Sequence, residues 1–132
     1  MRTWLKLIGM VDNQVTDYSR KYVSFSTKRP RHIHPGDHML LYASGTKRVF
    51  GLAEVTSEVY DSSDDDPRRY PYRVNIRYII NLAVADGVDL DEINTSRRDI
   101  ARSIRQASYI EIDADEYMSG ATKLQKRRLE LK

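Results

Sequence analysis

Apolar and polar positions change period along the chain, and each change marks an element. Trp4-Leu5-Lys6-Leu7-Ile8 is a β-prone run ended by Gly9. A period of two puts Trp4, Lys6 and Ile8 on one face of a first strand. Asp12 or Asn13 is placed to cap a short helix, with Val15, Tyr18 and Tyr22 at spacings of three and four and an end near Arg20. Pro35-Gly36-Asp37 is a turn leading into His38-Met39-Leu40-Leu41-Tyr42, and a second turn at Ser44-Gly45-Thr46 leads into Val49-Phe50-Gly51-Leu52-Ala53-Glu54-Val55. Two strands on a short turn predict an antiparallel hairpin. Its apolar character on both faces predicts a closed or covered sheet, and Gly51 predicts a bulge or a close backbone approach.

Asp61-Ser62-Ser63-Asp64-Asp65-Asp66-Pro67 reads as an exposed acidic loop. From Pro71 to Ile80 polar and apolar residues alternate through Tyr78, which predicts a strand with Val74, Ile76 and Tyr78 on one side. Leu90-Asp91-Glu92-Ile93 suggests a helical turn. Ile100, Ile104 and Ala107 recur at helical spacing behind Ser96, a ready N-cap, and predict an amphipathic helix from about Arg97 to Gln106. Tyr109-Ile110-Glu111-Ile112 is the last predicted strand. Asp113 and Glu116 have the spacing of a capping box, opening a helix through Tyr117 and Met118 towards Leu124. Lys123 to Lys132 is expected to be a basic, frayed tail. The sum is an α+β plan of five to six mainly antiparallel strands with short flanking helices and no internal repeat. A chain of 132 residues, 40% hydrophobic, suits one core, so 1–132 is expected to be a single domain with 123–132 as its tail.

Composition removes several classes of function. There is no cysteine, which fits a reducing compartment and excludes disulfides, thiolate zinc sites and cysteine nucleophiles. No run approaches the roughly 20 apolar residues of a membrane span, and the early Arg2 and Lys6 break the apolar run a signal peptide needs, so a cytoplasmic protein without a membrane partner is expected. The net charge of +3 is modest, but its distribution is not. Between Asp17 and Asp37 there is no acid, while the interval holds Arg20, Lys21, Lys28, Arg29 and Arg31 beside His32 and His34. Such a segregated cationic stretch suits phosphate contacts.

The order of these pieces resembles the EVE domain, a PUA-like family related to YTH domains. The residues that carry the resemblance are His34-Pro35-Gly36-Asp37-His38-Met39-Leu40-Leu41-Tyr42, Gly51-Leu52-Ala53-Glu54-Val55-Thr56-Ser57-Glu58, Tyr70-Pro71-Tyr72-Arg73-Val74, and Ser103-Ile104-Arg105-Gln106-Ala107-Ser108-Tyr109-Ile110-Glu111-Ile112. It spans most of the chain from Pro35 to Tyr117, with Trp4 where the family has an aromatic in its first strand. The stretch from Gly9 to His34 departs, being shorter and more basic. The resemblance implies a PUA-like barrel and an aromatic pocket that accepts a flipped, modified base. Domains of this kind also serve as sensing parts of restriction or stress systems, so a partner protein of that sort is among the expectations.

Candidate residues follow from both readings. Trp4, Tyr22, Phe25 and Tyr42 are candidates to stack a base, with Ser24 and Ser26 beside Tyr22 able to hydrogen-bond its edge. Each ring has a plain alternative as a core aromatic, and Tyr22, which carries a hydroxyl and lies among cations, is preferred. Arg20, Lys21, Lys28, Arg29 and Arg31 are candidates for phosphate contacts, and Lys47 and Arg48 at the hairpin tip are weaker ones. His32, His34 and His38 could suggest a metal, but supporting ligands are missing and Asp37 is better explained as a turn residue, so no metal and no cofactor is expected. No nucleophile-elbow or phosphate-loop motif is present, and no enzyme is expected. The expected function is recognition of a modified base in nucleic acid, 5-methylcytosine or a related cytosine in DNA, with an RNA-binding module or a small-molecule or protein interaction domain as alternatives.

Overall fold

The predicted strands form, with several shorter ones between them. The computed structural model describes residues 1–11, 14–15, 21–25, 28–62, 71–93 and 100–131. Among them the strands are β1 (Thr3–Ile8), β2 (Met10–Val11), β3 (Gln14–Val15), β4 (Tyr22–Phe25), β5 (His38–Ala43), β6 (Arg48–Val55), β7 (Tyr60–Asp61), β8 (Tyr72–Asn81), β9 (Val88–Asp89) and β10 (Tyr109–Glu111), and the helices are α1 (Ile100–Ala107) and α2 (Ala114–Glu130). Eight of the strands make one curled sheet in the order β10-β1-β5-β6-β8-β4, with β7 on β8 and β9 on β6. Every pair is antiparallel except β1 with β5, which run parallel from Thr3 opposite His38 to Ile8 opposite Ala43. The sheet exceeds the expected five to six strands because β7 and β9 have two residues each, too short to show a period.

Both faces of this sheet are buried, as the hairpin pattern requires. Trp4, Ile8, Met39, Leu41 and Ala43 point to the concave side with Val23, Phe25, Val74 and Ile76. Leu5, Leu40 and Tyr42 point to the other side, where Ile100 and Ile104 of α1 and Leu124 of α2 cover them. Strand β6 serves both faces by changing phase: the register with β5 shifts between Leu41 and Tyr42, so Phe50 is the extra residue. Phe50 then joins Ala53 and Val55 on the concave side, while Val49 and Leu52 face the helices. Gly51 sits at this bulge, where a Cβ would lie 3.3 Å from the Ile80 carbonyl oxygen and from Leu41 Cδ1.

One buried carboxylate ties the strands to the loop before them. Pro35 and Gly36 are the central residues of a turn closed by Asp37 N–H donating to the His34 carbonyl at 3.1 Å, and Gly36 takes the φ of 94° that favours glycine. The turn delivers the Asp37 side chain, 4% exposed, to the start of β1. There Oδ1 accepts the Arg2 backbone N–H at 2.9 Å, and Oδ2 accepts the Trp4 indole N–H and the His34 backbone N–H, each at 3.1 Å.

Two expectations are corrected. Gln14–Val15 pairs with Met10–Val11 as an antiparallel ladder, so no helix begins at Asp12 or Asn13; the strand preference of Val11 and Val15 prevails over a weak three-four spacing. Tyr18, the acidic residues Asp64 to Asp66, and the Ser96 and Arg97 start of the first helix lie outside the described residues. The segment from Lys123 is no frayed tail, since α2 runs to Glu130 with Leu124 fully buried. Its start carries the predicted capping box, with Glu116 N–H donating to Asp113 Oδ1 at 2.7 Å and Asp113 N–H to Glu116 Oε1 at 3.0 Å. Gly120 lets it approach the sheet: a Cβ there would come within 2.6 Å of Leu40 Cδ1.

Asp37→Asn turns an acceptor towards its donors into an amide that must point N–H at N–H on one side. Charge-assisted bonds of this kind contribute about 1.5–3 kcal/mol each, so the variant is expected to lose about 2–4 kcal/mol in chemical denaturation. A second prediction concerns Tyr117, whose hydroxyl bonds His38 Nδ1 and whose pKa is raised by desolvation. Because the folded pKa lies above the unfolded one, this contribution is complete below the ordinary tyrosine pKa near about 10 and is lost as pH rises through the folded value. Unfolding midpoints measured between pH 8 and pH 12, read as approximate bounds of that window, should fall at the alkaline end, less so for Tyr117→Phe.

Candidate functional site

Strand β4 lies at one edge of the sheet and β10 at the other. Curling brings the two edges face to face, and among the described residues no ladder joins them. They meet through side chains instead: the Phe25 and Tyr109 rings are edge to face with centroids 5.2 Å apart, and Tyr109 also packs against Trp4 at 6.0 Å. Lys6 reaches the same place, because it is opposite Tyr109 in the β1–β10 register. Its ammonium lies 5.0 Å from the Phe25 ring centroid and donates to the Leu7 carbonyl at 2.7 Å. The result is a seam closed by three rings and a buried lysine. Of the rings, Trp4 and Phe25 are 5% and 1% exposed, and Tyr109 alone is half-buried.

Alternation along β4 separates residues that were grouped in the sequence. Val23 and Phe25 point into the concave core, whereas Tyr22 and Ser24 share the opposite face of the strand. That outer face continues onto β8, where Ser24 is opposite Arg73 and Tyr22 opposite Asn75. The Arg73 guanidinium stacks 4.1 Å from the Tyr22 ring centroid, and beyond it the Tyr60 hydroxyl donates to Asn75 Oδ1 at 2.7 Å. Tyr42 belongs to neither group. It is 4% exposed on the helix-covered side of the sheet, so it is a core residue and is not available to stack a base beside Trp4 or Phe25. Ser26 and Arg20 lie outside the described residues.

The cations flank the seam unevenly. Lys21, Lys28, Arg29 and Arg31 are exposed at the two ends of β4. Arg29 is held there: it donates to the Val59 carbonyl at 2.8 Å and its guanidinium lies 5.7 Å from the Tyr72 ring centroid. His32 has a φ of 67°, in the left-handed region where histidine, asparagine and aspartate are enriched among residues other than glycine. His34 pairs with Glu58 at 3.0 Å and His38 bonds Tyr117, and among the described residues no group of three histidines or acids is placed to hold a metal. Lys47 and Arg48 are not part of this surface. They sit at the hairpin tip beside β9, with the length of β8 between them and β4. Sequence reasoning missed Lys6, Arg73 and the role of Tyr109. Their signal is a cross-strand register, which only the folded sheet supplies.

A curled, mainly antiparallel half-barrel, open between its edge strands and backed by a C-terminal helix, is the PUA-like architecture. Residues 13–119 match the EVE domain, and the chain belongs to that family. No curated protein matches it in sequence. Among solved structures it is similar to a hypothetical protein from Leishmania major, at 22% identity and a TM-score of 0.67, covering 100% of this chain and 98% of that one. It is similar to Rpa0253 from Rhodopseudomonas palustris at 20% identity and a TM-score of 0.59, covering 95% and 94%. It is also similar to the YTH domain of Zygosaccharomyces rouxii MRB1, solved in complex with N6-methyladenosine RNA, at 15% identity and a TM-score of 0.62, covering 93% and 86%. At these identities the likeness establishes the fold. The described helices include none long and apolar enough to cross a membrane.

Burial predicts how the two aromatics of β4 differ. Phe25→Ala empties a core position and should cost about 3–5 kcal/mol. Tyr22→Ala removes mainly a cation–π contact and should cost about 1 kcal/mol. Equilibrium denaturation of the two variants reads the difference, and equal losses would mean that Tyr22 is also a core ring.

Proposed function

We propose that this domain is a non-catalytic reader that binds a nucleic-acid strand and accepts one modified base at the seam between β4 and β10. The observation that carries the reading is the seam itself: edge strands closed by Trp4, Phe25 and Tyr109 rather than by hydrogen bonds, with cations at both ends of β4. Entry of a base displaces Tyr109 from Phe25, at a cost of about 0.5–1.5 kcal/mol for the aromatic contact. Stacking of the base returns about 1–3 kcal/mol, and phosphate contacts from Lys21, Lys28, Arg29 and Arg31 offset the unstacking cost of a few kcal/mol. Tyr22 and Ser24 serve the strand outside the seam, where Tyr22 already stacks with Arg73. A methyl niche discriminates by about 1–3 kcal/mol, so preference for the modified base is expected to be modest.

The target proposed from the sequence is 5-methylcytosine or a related cytosine in DNA. A methylated base in RNA is the second reading, favoured by the structural likeness to the MRB1 YTH domain in complex with N6-methyladenosine RNA. Labelled DNA and RNA strands that differ at one base, titrated at several salt concentrations, separate them. Tighter binding of one modified strand is expected, and equal affinity for every modified and plain pair would sink the base-reading claim. Within that assay Tyr109→Ala should reduce the modified-to-plain ratio. Lys28→Ala and Arg31→Ala should instead weaken all strands alike and flatten the salt dependence by about 0.7–0.9 for each phosphate no longer neutralised.

A further inference from the structure

The concave face of the sheet carries a charge where its neighbours are apolar. Trp4, Lys6 and Ile8 alternate onto this face of β1, and Lys6 lies opposite Leu41 on β5 and Tyr109 on β10. It is 6% exposed. Its ammonium donates to the Leu7 carbonyl at 2.7 Å and lies 5.0 Å from the centroid of the Phe25 ring, the ring that Tyr109 meets edge to face. The charge therefore stands inside the seam and not at its mouth.

Buried charges elsewhere are accounted for by the fold. Asp37 collects three donors, Glu116 completes the capping box of α2, and Arg73 stacks on Tyr22. The plain account of Lys6 is of the same kind, a strap that fastens β1 to Phe25 across the seam. It explains how the charge is held and not why a charge is there, since burying one costs free energy that an apolar side chain of similar length would avoid. Position supplies a reason. A base that takes the place of Tyr109 on Phe25 lies beside the ammonium, which offers three donors and no acceptor in a buried, weakly screened setting. We propose that Lys6 sets the class of base the seam takes: an electroneutral base that turns a ring nitrogen or carbonyl oxygen towards the ammonium. Bases made cationic by methylation of a ring nitrogen are excluded. Two like charges about 5 Å apart at an effective dielectric constant of about 20 disfavour the cationic base by on the order of a hundredfold, and water reaching the half-buried rim lowers this towards about tenfold. The inference rests on the base-reading proposal above but not on whether the base is a cytosine or an adenine.

Isomeric pairs of strands provide the test: 5-methylcytosine against 3-methylcytosine at one position in DNA, and N6-methyladenine against 1-methyladenine in RNA, the second member of each pair being cationic near neutral pH. The wild-type protein is expected to bind the neutral member of the pair it reads at least about tenfold more tightly. Lys6→Met, close to lysine in length, should bring that ratio towards one. Lys28→Ala, which removes a proposed phosphate contact, should weaken both members alike and leave the ratio standing. Exclusion by shape would survive the loss of the charge, so an unchanged ratio in Lys6→Met overturns the proposal. A second measurement does not depend on that variant folding. In wild-type protein labelled in its lysine side chains, the Lys6 ε-methylene signal should shift on saturation with the neutral modified strand and stay in place with the same strand made abasic at that position; the same spectrum with both strands overturns the proposal. A wild-type protein that binds modified, plain and abasic strands equally removes base reading and the role of Lys6 together. One that prefers the neutral modified base to the plain one, yet binds the cationic isomer as tightly, removes the role of Lys6 and leaves base reading intact.

Discussion

The Asp37 carboxylate is the point from which the rest of the molecule is set. Removing a carboxylate from water costs several kcal/mol, and only a full set of donors makes it favourable. Here the donors come from three places, the Arg2 backbone, the Trp4 indole and the His34 backbone, so the carboxylate is satisfied only when β1, β5 and the preceding loop are assembled together. Its own carbonyl accepts the Val55 N–H at 2.8 Å, which brings in β6. A parallel pair such as β1 with β5 has no tight turn to fix its register, and this bond set supplies one. The same bonds orient the Trp4 ring and fix where the cationic loop leaves the sheet.

That constraint distinguishes the rings of the seam by how firmly each is held. Trp4 is tethered through its indole, and Phe25 is sealed in the concave core with Val23 and Val74. Tyr109 has neither restraint among its described contacts. It is half-buried, on a three-residue edge strand that follows Ser108, whose φ of 63° ends α1. Ser108 there closes the helix with its N–H on the Ile104 carbonyl and hands its own carbonyl to the Leu7 N–H. Strain at one residue thus aims Tyr109 at the seam, an arrangement typical of sites where geometry is held for function.

How much of this was legible depends on whether the signal was local. The hairpin, the bulge at Gly51, the long strand of Val74, Ile76 and Tyr78, and the Asp113–Glu116 box were legible because each needs only neighbours in sequence. The stretch around Asp12 misled because a three-four spacing of Val15, Tyr18 and Tyr22 is weak evidence against β-branched strand formers. The end of α2 misled because a run of lysines and arginines looks solvated, although Leu124 between them is buried. Of the candidate rings, Trp4 and Phe25 come together, but only through Tyr109, and Tyr42 is on the far face of the sheet. Ring proximity across a barrel follows from register between strands a hundred residues apart, and no single-sequence period encodes it.

Leaving β4 and β10 unpaired has a cost that needs a reason. Strands of four and three residues would make only a few ladder bonds, each contributing about 0.5–1.5 kcal/mol, so full closure would add a few kcal/mol at most. The open edges are protected against pairing with other chains by being short and by the lysine and arginines around them. What replaces the ladder is a contact among rings that is weaker than the bonds it forgoes and that a flat aromatic molecule can take over. A hydrogen-bonded ladder would hold the two edges together more firmly than rings in contact do. Among the described residues, the seam is where rings rather than a ladder join the two edge strands, and the proposed entry of a base rests on that difference.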